Sequence, residues 1–385
     1  MREFNTLNVK NHTPVLAMPD ALPLLDPAAL DAASARAAEE FLADGTPPNT
    51  ARSYASALRY WAAWYALRYG CALDVPSVSP AVVCQFIVDH LARFSRGAMR
   101  HELPDAIDAQ LVKLGAKGKS GALAYGTVAH RLAVLSKWHR LHDDGESPTD
   151  DPKIKTLMAK ARRSQARHGI HVRKKTAIVA EPLHALLATC TDGLRGTRDR
   201  ALLLLAWSGG GRRRSEVVAL QVEDLRRIDP QTWVYALGAT KTDTSGVRRE
   251  KPLRGEAVAA LAQWLEAAKL TDGALFRRIH RNGHVGTGAL TADHVARMVK
   301  RRARLAGLKG DWGAHSLRSG FITEAGRQNV PLGEVMAMTE HHSVGTVMGY
   351  FQAGTLLNSR ATNLLSSSTQ DGKSARIIRD RENGS

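Results

Sequence analysis

The second half of the chain carries residues suited to moving a phosphoryl group. Gly211-Arg212-Arg213-Arg214-Ser215-Glu216 sets an arginine three residues ahead of a glutamate, and Ala239-Thr240-Lys241-Thr242 puts a lysine in a turn. His315-Ser316-Leu317-Arg318 brings a histidine and an arginine to one helical face, and Tyr350 closes the series nine residues after His341. Phosphoryl transfer without a metal requires fixed cations around the non-bridging oxygens, a nucleophile in line and an acid for the leaving oxygen. Arginine suits the first task because its planar fork donates two parallel hydrogen bonds and keeps its charge. Each element alone has an ordinary explanation. R-x-x-E is a common i,i+3 helix pair, a turn lysine is usually solvated, H-x-x-R arises by chance among 15 histidines, and a helical tyrosine is usually a half-buried aromatic.

Taken together, the order R, K, HxxR, H, Y resembles the tyrosine recombinase (phage integrase) family, and the two-unit layout is similar to its Cre-like members. The resemblance covers roughly residues 50–357, including a helix around Trp61-Ala62-Ala63-Trp64. The family register selects Arg213 as the catalytic arginine and Glu216 as its acidic companion, with Arg212 and Arg214 as neighbours one position away. It implies that Arg213, Arg318 and His315 clamp the scissile phosphate, that His341 adds a hydrogen bond, and that Lys241 protonates the leaving 5′ oxygen. His342 is the fallback for His341, and Thr339-Glu340 departs from the Leu-Gly common in the family. Tyrosine ionises near pH 10, so surrounding positive charge must favour its anion. Tyr350 would then leave a 3′-phosphotyrosyl bond and a free 5′ hydroxyl, with no metal, cofactor or ATP. The implied partner is double-stranded DNA with inverted-repeat half-sites, held by a homotetramer in which each protomer is a two-domain clamp. Two other readings are a type IB topoisomerase-like relaxer and a catalytically silent DNA-binding protein.

The elements that must position these residues are mainly helical. The expected organisation is a tail over 1–45, an all-helical core-binding domain over 46–160, a basic linker over 161–176, a catalytic domain over 177–365 with a small antiparallel sheet, and a disordered tail over 366–385. Pro47-Pro48-Asn49-Thr50 signals a helix start with Asn49 or Thr50 as cap, followed by an apolar face of Tyr54, Leu58, Trp61 and Tyr65. A second helix begins after Ser79-Pro80 with Val83, Phe86, Ile87 and Leu91 inward, and another carries Val128, Leu132, Leu135 and Trp138. In the second unit a buried helix over Ala201–Trp207 leads through Ser208-Gly209-Gly210-Gly211 into a helix from Arg214. Trp233–Leu237 alternates like a strand, Thr240–Gly246 reads as a turn, and Arg248–Leu253 is the returning strand. Everything after Glu256 reads as helix, and Leu356, Leu357, Leu364 and Leu365 form a helix that packs either on a neighbour or on its own chain.

Bulk composition agrees with a polyanionic partner. Lys and Arg number 54 against 37 Asp and Glu, a formal net charge of +17 over 385 residues, which favours nucleic acid first and an anionic membrane second. The membrane reading falls because the longest apolar run, around Ala201–Trp207, is too short to span a bilayer. Three scattered cysteines and no apolar N-terminal run point to a reducing cytoplasm and no signal peptide. Gly118-Lys119-Ser120 lacks the leading glycine of a phosphate loop, since Lys113 stands there. His101-Glu102 is followed by Asp105 rather than a second histidine, and His168 and His171 have no metal-ligating partners. DNA phosphates would be met by Arg59 and by linker residues Arg173, Lys174 and Lys175. Bases would be read by His130 and Arg131, and by Asp293, His294 and Arg297 on the helix opening at Thr291.

Overall fold

The computed structural model describes residues 32–73, 78–142, 147–171, 175–191, 193–238 and 249–355. Most of the N-terminal tail, Arg173, Lys174, the turn with Lys241, Leu356, Leu357, Leu364, Leu365 and the stretch from Ser366 lie outside the described residues. The chain divides between His171 and Val172 into two compact units.

The first unit runs α1 (Ala32–Asp44), α2 (Pro48–Tyr69), α3 (Pro80–His90), β1 (Arg93–Ser95), β2 (Ala98–Arg100), α4 (Asp105–Lys113), α5 (Tyr125–His142) and α6 (Pro152–Arg167). Helix α2 starts at Pro48 with Pro47 in the cap position, earlier by two or three residues than the Asn49 or Thr50 cap expected. Proline at the first helical position loses no hydrogen bond, so the helix extends back to it. In α3 the expected start holds, with the Ser79 hydroxyl accepting from the Val82 amide. The core is aromatic. Trp61 stacks on Phe86 with ring centroids 3.8 Å apart, while Trp64 meets both edge-on and donates from Nε1 to Asp89 at 3.0 Å. Two expectations change here. The unit is not wholly helical, because β1 and β2 pair as a two-stranded antiparallel ribbon. The basic run from Lys160 to Arg167 is the last part of α6, whose inward positions Ile154, Met158 and Gln165 keep the helical period beneath the exposed charges.

The second unit runs α7 (Ala180–Ala188), α8 (Gly193–Ser208), α9 (Arg214–Ala219), β3 (Leu225–Arg227), β4 (Thr232–Leu237), β5 (Arg249–Arg254), α10 (Glu256–Ala267), β6 (Arg277–Ile279), β7 (Val285–Ala289), α11 (Ala292–Leu305), α12 (Ala314–Arg327), α13 (Leu332–Thr339) and α14 (Val344–Thr355). Helix α8 is buried on every side from Ala201 to Ala206 and packs against α10 and α12, which makes it the unit's axis. Strands β3, β4 and β5 form an antiparallel sheet in which Trp233 faces Leu253. The stretch after Glu256 is not all helix, since β6 and β7 form a second hairpin. Its signal stands in the sequence as Asn282-Gly283, with Gly283 at φ +83° as a tight hairpin requires. A satellite core of Ile322, Ala325, Val335 and Val347 joins α12, α13 and α14, with Tyr350 and Phe351 packed on its edge.

Candidate active site

The glycine turn after α8 sets the geometry. Gly210 and Gly211 have φ of +95° and +63°, and a Cβ on Gly211 would lie 2.8 Å from the Cα of Arg318. Only glycine lets the chain pass this close to α12, and the contact is used: Arg318 Nη1 donates to the Gly211 carbonyl at 3.0 Å. The turn then delivers three consecutive arginines to three environments. Arg212 is 1% exposed and faces inward, where Nη2 donates to the carbonyls of Gly210 and Met338. Arg213 is half-buried at the head of α9, its Nη1 held by Glu216 Oε1 at 2.6 Å, while Glu216 Oε2 accepts the Arg213 amide at 3.0 Å. Arg214 is exposed and pairs with Asp293 at 2.8 Å. Arg213 and Arg214 both pair with a carboxylate, but Arg213 is the one held within its own helix turn, at both its guanidinium and its backbone amide, by Glu216.

Helix α12 contributes His315 in its first turn and Arg318 one turn on. Arg318 is 4% exposed and anchored to backbone: besides Gly211, its Nη2 donates to the Thr339 carbonyl at 2.6 Å and lies 3.1 Å from His341 Nε2. Burial, then the neighbouring Arg213 and Arg212, pull its pKa down to about 10, so it stays charged at neutral pH. His341 sits in the turn after α13, with Nδ1 2.8 Å from the Thr339 hydroxyl, which itself donates to the Val335 carbonyl. Arg318 Nη2 lies at comparable distance from both ring nitrogens, 3.2 Å from Nδ1 and 3.1 Å from Nε2, so the neutral ring can carry its proton on either. Burial and the three arginines lower the His341 pKa to about 4. His315 is pushed below the ordinary histidine value, first by burial and then by Arg318 and Arg213. Its Nε2 stands 3.2 Å from the Tyr350 hydroxyl, which α14 presents from the edge of the satellite core. Gly354 has no room for a side chain against α12, and this close approach of α14 fixes the tyrosine's reach.

Between these elements lies a cleft of about 360 Å³ lined by Lys175, Arg212, Arg213, Arg214, Lys300, His315 and Arg318. It holds a dense concentration of positive charge beside a tyrosine hydroxyl and a neutral imidazole, an arrangement able to bind a phosphodiester and deprotonate a nucleophile. The structure thus brings together Arg213, Glu216, His315, Arg318, His341 and Tyr350; Lys241 is outside the described residues. His342 is exposed and makes none of the contacts of His341. Lys175 lines the cleft and pairs with Asp311. Sequence reading missed Lys300 and Lys251 as parts of this assembly, and named Arg212 only as a neighbour of Arg213.

The expected DNA-reading residues divide by environment. Arg59 is exposed and shares a groove of about 490 Å³ between α2 and α5 with Arg52, His130 and Arg131. His130 is exposed and lies 2.9 Å from the Ser53 hydroxyl. Arg131 is different: its guanidinium lies 3.2 Å over the Tyr60 ring and it is drawn into the core. On α11, Arg297 is exposed and His294 half-buried, its pKa lowered by burial and then by Arg198. Both line a second cleft of about 830 Å³ rich in arginine, with Arg195, Arg278, Arg281 and Arg301. Asp293, committed to Arg214, stands beside it.

No described helix is long and apolar enough to cross a membrane. Among the described residues there is no cluster of three or more histidines, cysteines and carboxylates that could hold a metal.

Comparison with known proteins agrees with this architecture. The model of the phage integrase family matches residues 177–355. An integrase/recombinase XerD homolog of Selenomonas ruminantium is 33% identical over 248 residues, 62% of this chain and 71% of that protein. A tyrosine recombinase of Synechococcus elongatus is 27% identical over 81% of this chain and 87% of its own length. Among solved structures, the Tn1549 transposon integrase in complex with circular intermediate DNA aligns with a TM-score of 0.54 at 14% identity, covering 84% of this chain and 97% of that one. The XerH site-specific recombinase bound to a palindromic substrate aligns at 0.52 and 15% identity, covering 82% and 79%. At those identities the structures speak to the fold, which is theirs: mostly helical with small antiparallel sheets. By sequence relationship over most of a curated recombinase, the chain belongs to the tyrosine recombinase (phage integrase) family and is a tyrosine-type site-specific recombinase.

Proposed function

We propose that this recombinase cuts and rejoins DNA through a 3′-phosphotyrosyl link on Tyr350. The observation that carries this reading is the 3.2 Å approach of His315 Nε2 to the Tyr350 hydroxyl beside a cleft lined by Arg213 and Arg318. Arg213 and Arg318 would bind the non-bridging oxygens, each held by partners that leave part of its fork free. His315, kept neutral by burial and by the arginines, would take the tyrosine proton as Tyr350 attacks phosphorus. The bond to O5′ then breaks and the leaving oxygen takes a proton from Lys241, a role that the family order assigns to it. His341 would donate a hydrogen bond to the same phosphate once its ring proton is carried on Nε2. The tyrosyl link conserves the phosphodiester energy, so attack by a 5′ hydroxyl of another strand completes exchange.

One tyrosine per protomer cuts one strand, so exchange of two duplexes calls for four protomers on paired sites of inverted-repeat half-sites. The palindromic substrate of the XerH structure is in keeping with such sites. Arg59, His130 and Arg131 on the first unit, and Asp293, His294 and Arg297 on α11, are the proposed DNA contacts, with Arg173, Lys174 and Lys175 along the backbone. Exposed Arg59 and Arg297 serve phosphates best, whereas Arg131, stacked on Tyr60, contributes mainly by shaping its groove.

The test uses covalent capture from a pool of randomised duplexes to recover the site. A 3′-phosphotyrosyl link predicts that the cut leaves a 5′ hydroxyl that polynucleotide kinase labels directly. A cut end that accepts label only after phosphatase treatment would mean the opposite polarity and a different chemistry.

A further inference from the structure

The last turn of α13 has an unusual set of caps. The final carbonyls of a helix have no partner inside it, and its C-terminus carries partial negative charge. Here the carbonyls of Ala337, Met338 and Thr339 each receive a different cation: Lys251 Nζ at 2.7 Å, Arg212 Nη2, and Arg318 Nη2 at 2.6 Å. The three come from strand β5, the glycine turn and helix α12. The next residue, Glu340, has φ +56° and ψ +45°, the left-handed conformation that glycine adopts most readily. Its carboxylate is nonetheless buried, 5% exposed, with neither oxygen hydrogen-bonded among the described residues. Two cations flank it: Lys251 Nζ at 3.4 Å from Oε1 and Arg212 Nη1 at 4.0 Å from Oε2. A strained residue burying a charge is kept only where surrounding groups hold it.

We infer that Lys251 and Glu340 are positioning residues, a brace that ties strand β5 to the turn carrying His341 and so holds His341 and Arg318 in place at the cleft. Lys251 lies on β5, which pairs with β4, and follows Lys241 by ten positions in the chain; Glu340 is bonded directly to His341. Lys251 therefore grips the carbonyl of Ala337 and the carboxylate of Glu340 from one end, while Arg212 grips Met338 and the same carboxylate from the other. Lys251 is spoken for by these contacts and is only 12% exposed, which sets it apart from a lysine free to reach a leaving group. The brace makes glutamate, rather than glycine, the fitting residue at this left-handed position: its charge balances two buried cations.

The inference rests on the recombinase reading, and its test separates the two. Wild-type protein is first shown to form a covalent adduct with a nicked duplex bearing the captured site; no adduct at all would sink the catalytic reading itself. Lys251→Met, Lys251→Arg, Glu340→Gln and the Lys251→Met/Glu340→Gln double variant are then compared in single-turnover cleavage and in equilibrium binding of the same duplex. The brace predicts a fall in cleavage rate on the order of 30-fold for Lys251→Met and for Glu340→Gln, about 2 kcal/mol in barrier, with DNA affinity within about threefold of wild type. Lys251→Arg should recover most of the rate, and the double variant should be no slower than the slower single. Thermal unfolding followed alongside must place each variant in its folded range at the assay temperature. If Lys251→Met does not fold, Lys251→Arg and Glu340→Gln decide alone. Cleavage within twofold of wild type in folded Lys251→Met or Glu340→Gln would overturn the brace. So would singles whose effects multiply in the double, or a loss that falls on DNA affinity instead of rate.

Discussion

Replacing Arg213 and Arg318 in turn by lysine separates two ways of holding a cation proposed to bind phosphate. Arg318 is 4% exposed and its fork spans two backbone carbonyls, Gly211 and Thr339, as well as His341. A lysine at 318 reaches one of these carbonyls and leaves the other buried without a partner. An unsatisfied buried acceptor costs about 1–3 kcal/mol, and the lost packing brings the expected destabilisation to about 2–4 kcal/mol. Arg213 has a half-exposed side chain whose ion pair is with Glu216, and Glu216 keeps its bond to the Arg213 amide whatever side chain stands there. Arg213→Lys should therefore change stability by less than about 1 kcal/mol. On cleavage the two should converge, each losing about 10²–10³ in rate because a lysine cannot offer the bidentate fork. Urea unfolding of the full chain and single-turnover cleavage on the captured site measure both quantities. Equal stability of the two variants, or an Arg318→Lys protein cleaving at the wild-type rate, would refute the assignment of distinct environments.

The remaining expectations concern the turn, the histidines and the first unit. Gly211→Ala combines a left-handed φ with a Cβ 2.8 Å from the Arg318 backbone, so it should lower the unfolding midpoint and cleavage together. For pH, folded His341 has a pKa of about 4 against 6.5 for the free side chain, so the unfolded chain binds more protons between those values. Buried His90, lowered to about 3 in the first unit, acts in the same direction over a wider window. Stability should hold above pH 6.5 and decline as pH falls from 6.5 towards 4, with His341→Asn flattening part of that decline in urea titrations. Cleavage should persist to a pH below 6.5, because the His315 pKa is lowered, and a rate lost already at pH 7 would contradict its proposed role as proton acceptor. In the first unit, Arg131→Met should destabilise the fold by removing the cation over Tyr60, a ring whose pKa burial raises to about 12. Arg59→Ala should leave stability unchanged and reduce the salt dependence of DNA binding by about one phosphate contact.

Much of the scaffold was legible because it depends on local pattern. The helix over Trp61 and Tyr65, the helix start at Ser79-Pro80, the leucine run of α8 and the strand at Trp233–Leu237 follow from periodicity and local start signals alone. The ribbon at Arg93–Arg100 was not legible, since strands of three residues carry no alternation. The hairpin at Arg277–Ala289 was missed although Asn282-Gly283 marks it, because the surrounding glycines and histidines mask a strand composition. At the site, the family resemblance named the residues that the structure brings together and its register selected Arg213, yet nothing in the sequence showed how the surroundings of Arg212 and Arg213 differ. That distinction is made by two left-handed glycines that turn Arg212 inward and Arg213 outward. Nor could sequence explain Glu340, whose counter-charge on Lys251 is distant along the chain and adjacent only after folding. Arg131 illustrates the same limit: a basic residue on a polar stretch of α5 turns out to lie over a core tyrosine.

The central claim is that Tyr350 is the nucleophile, and trapping after denaturation tests it most directly. Wild-type protein incubated with the captured duplex should give an SDS-resistant adduct whose DNA-bearing peptide contains Tyr350. Tyr350→Phe should bind the same duplex with unchanged affinity and give none. An adduct formed by Tyr350→Phe at the wild-type level, or a wild-type adduct mapped to another residue, would contradict the account.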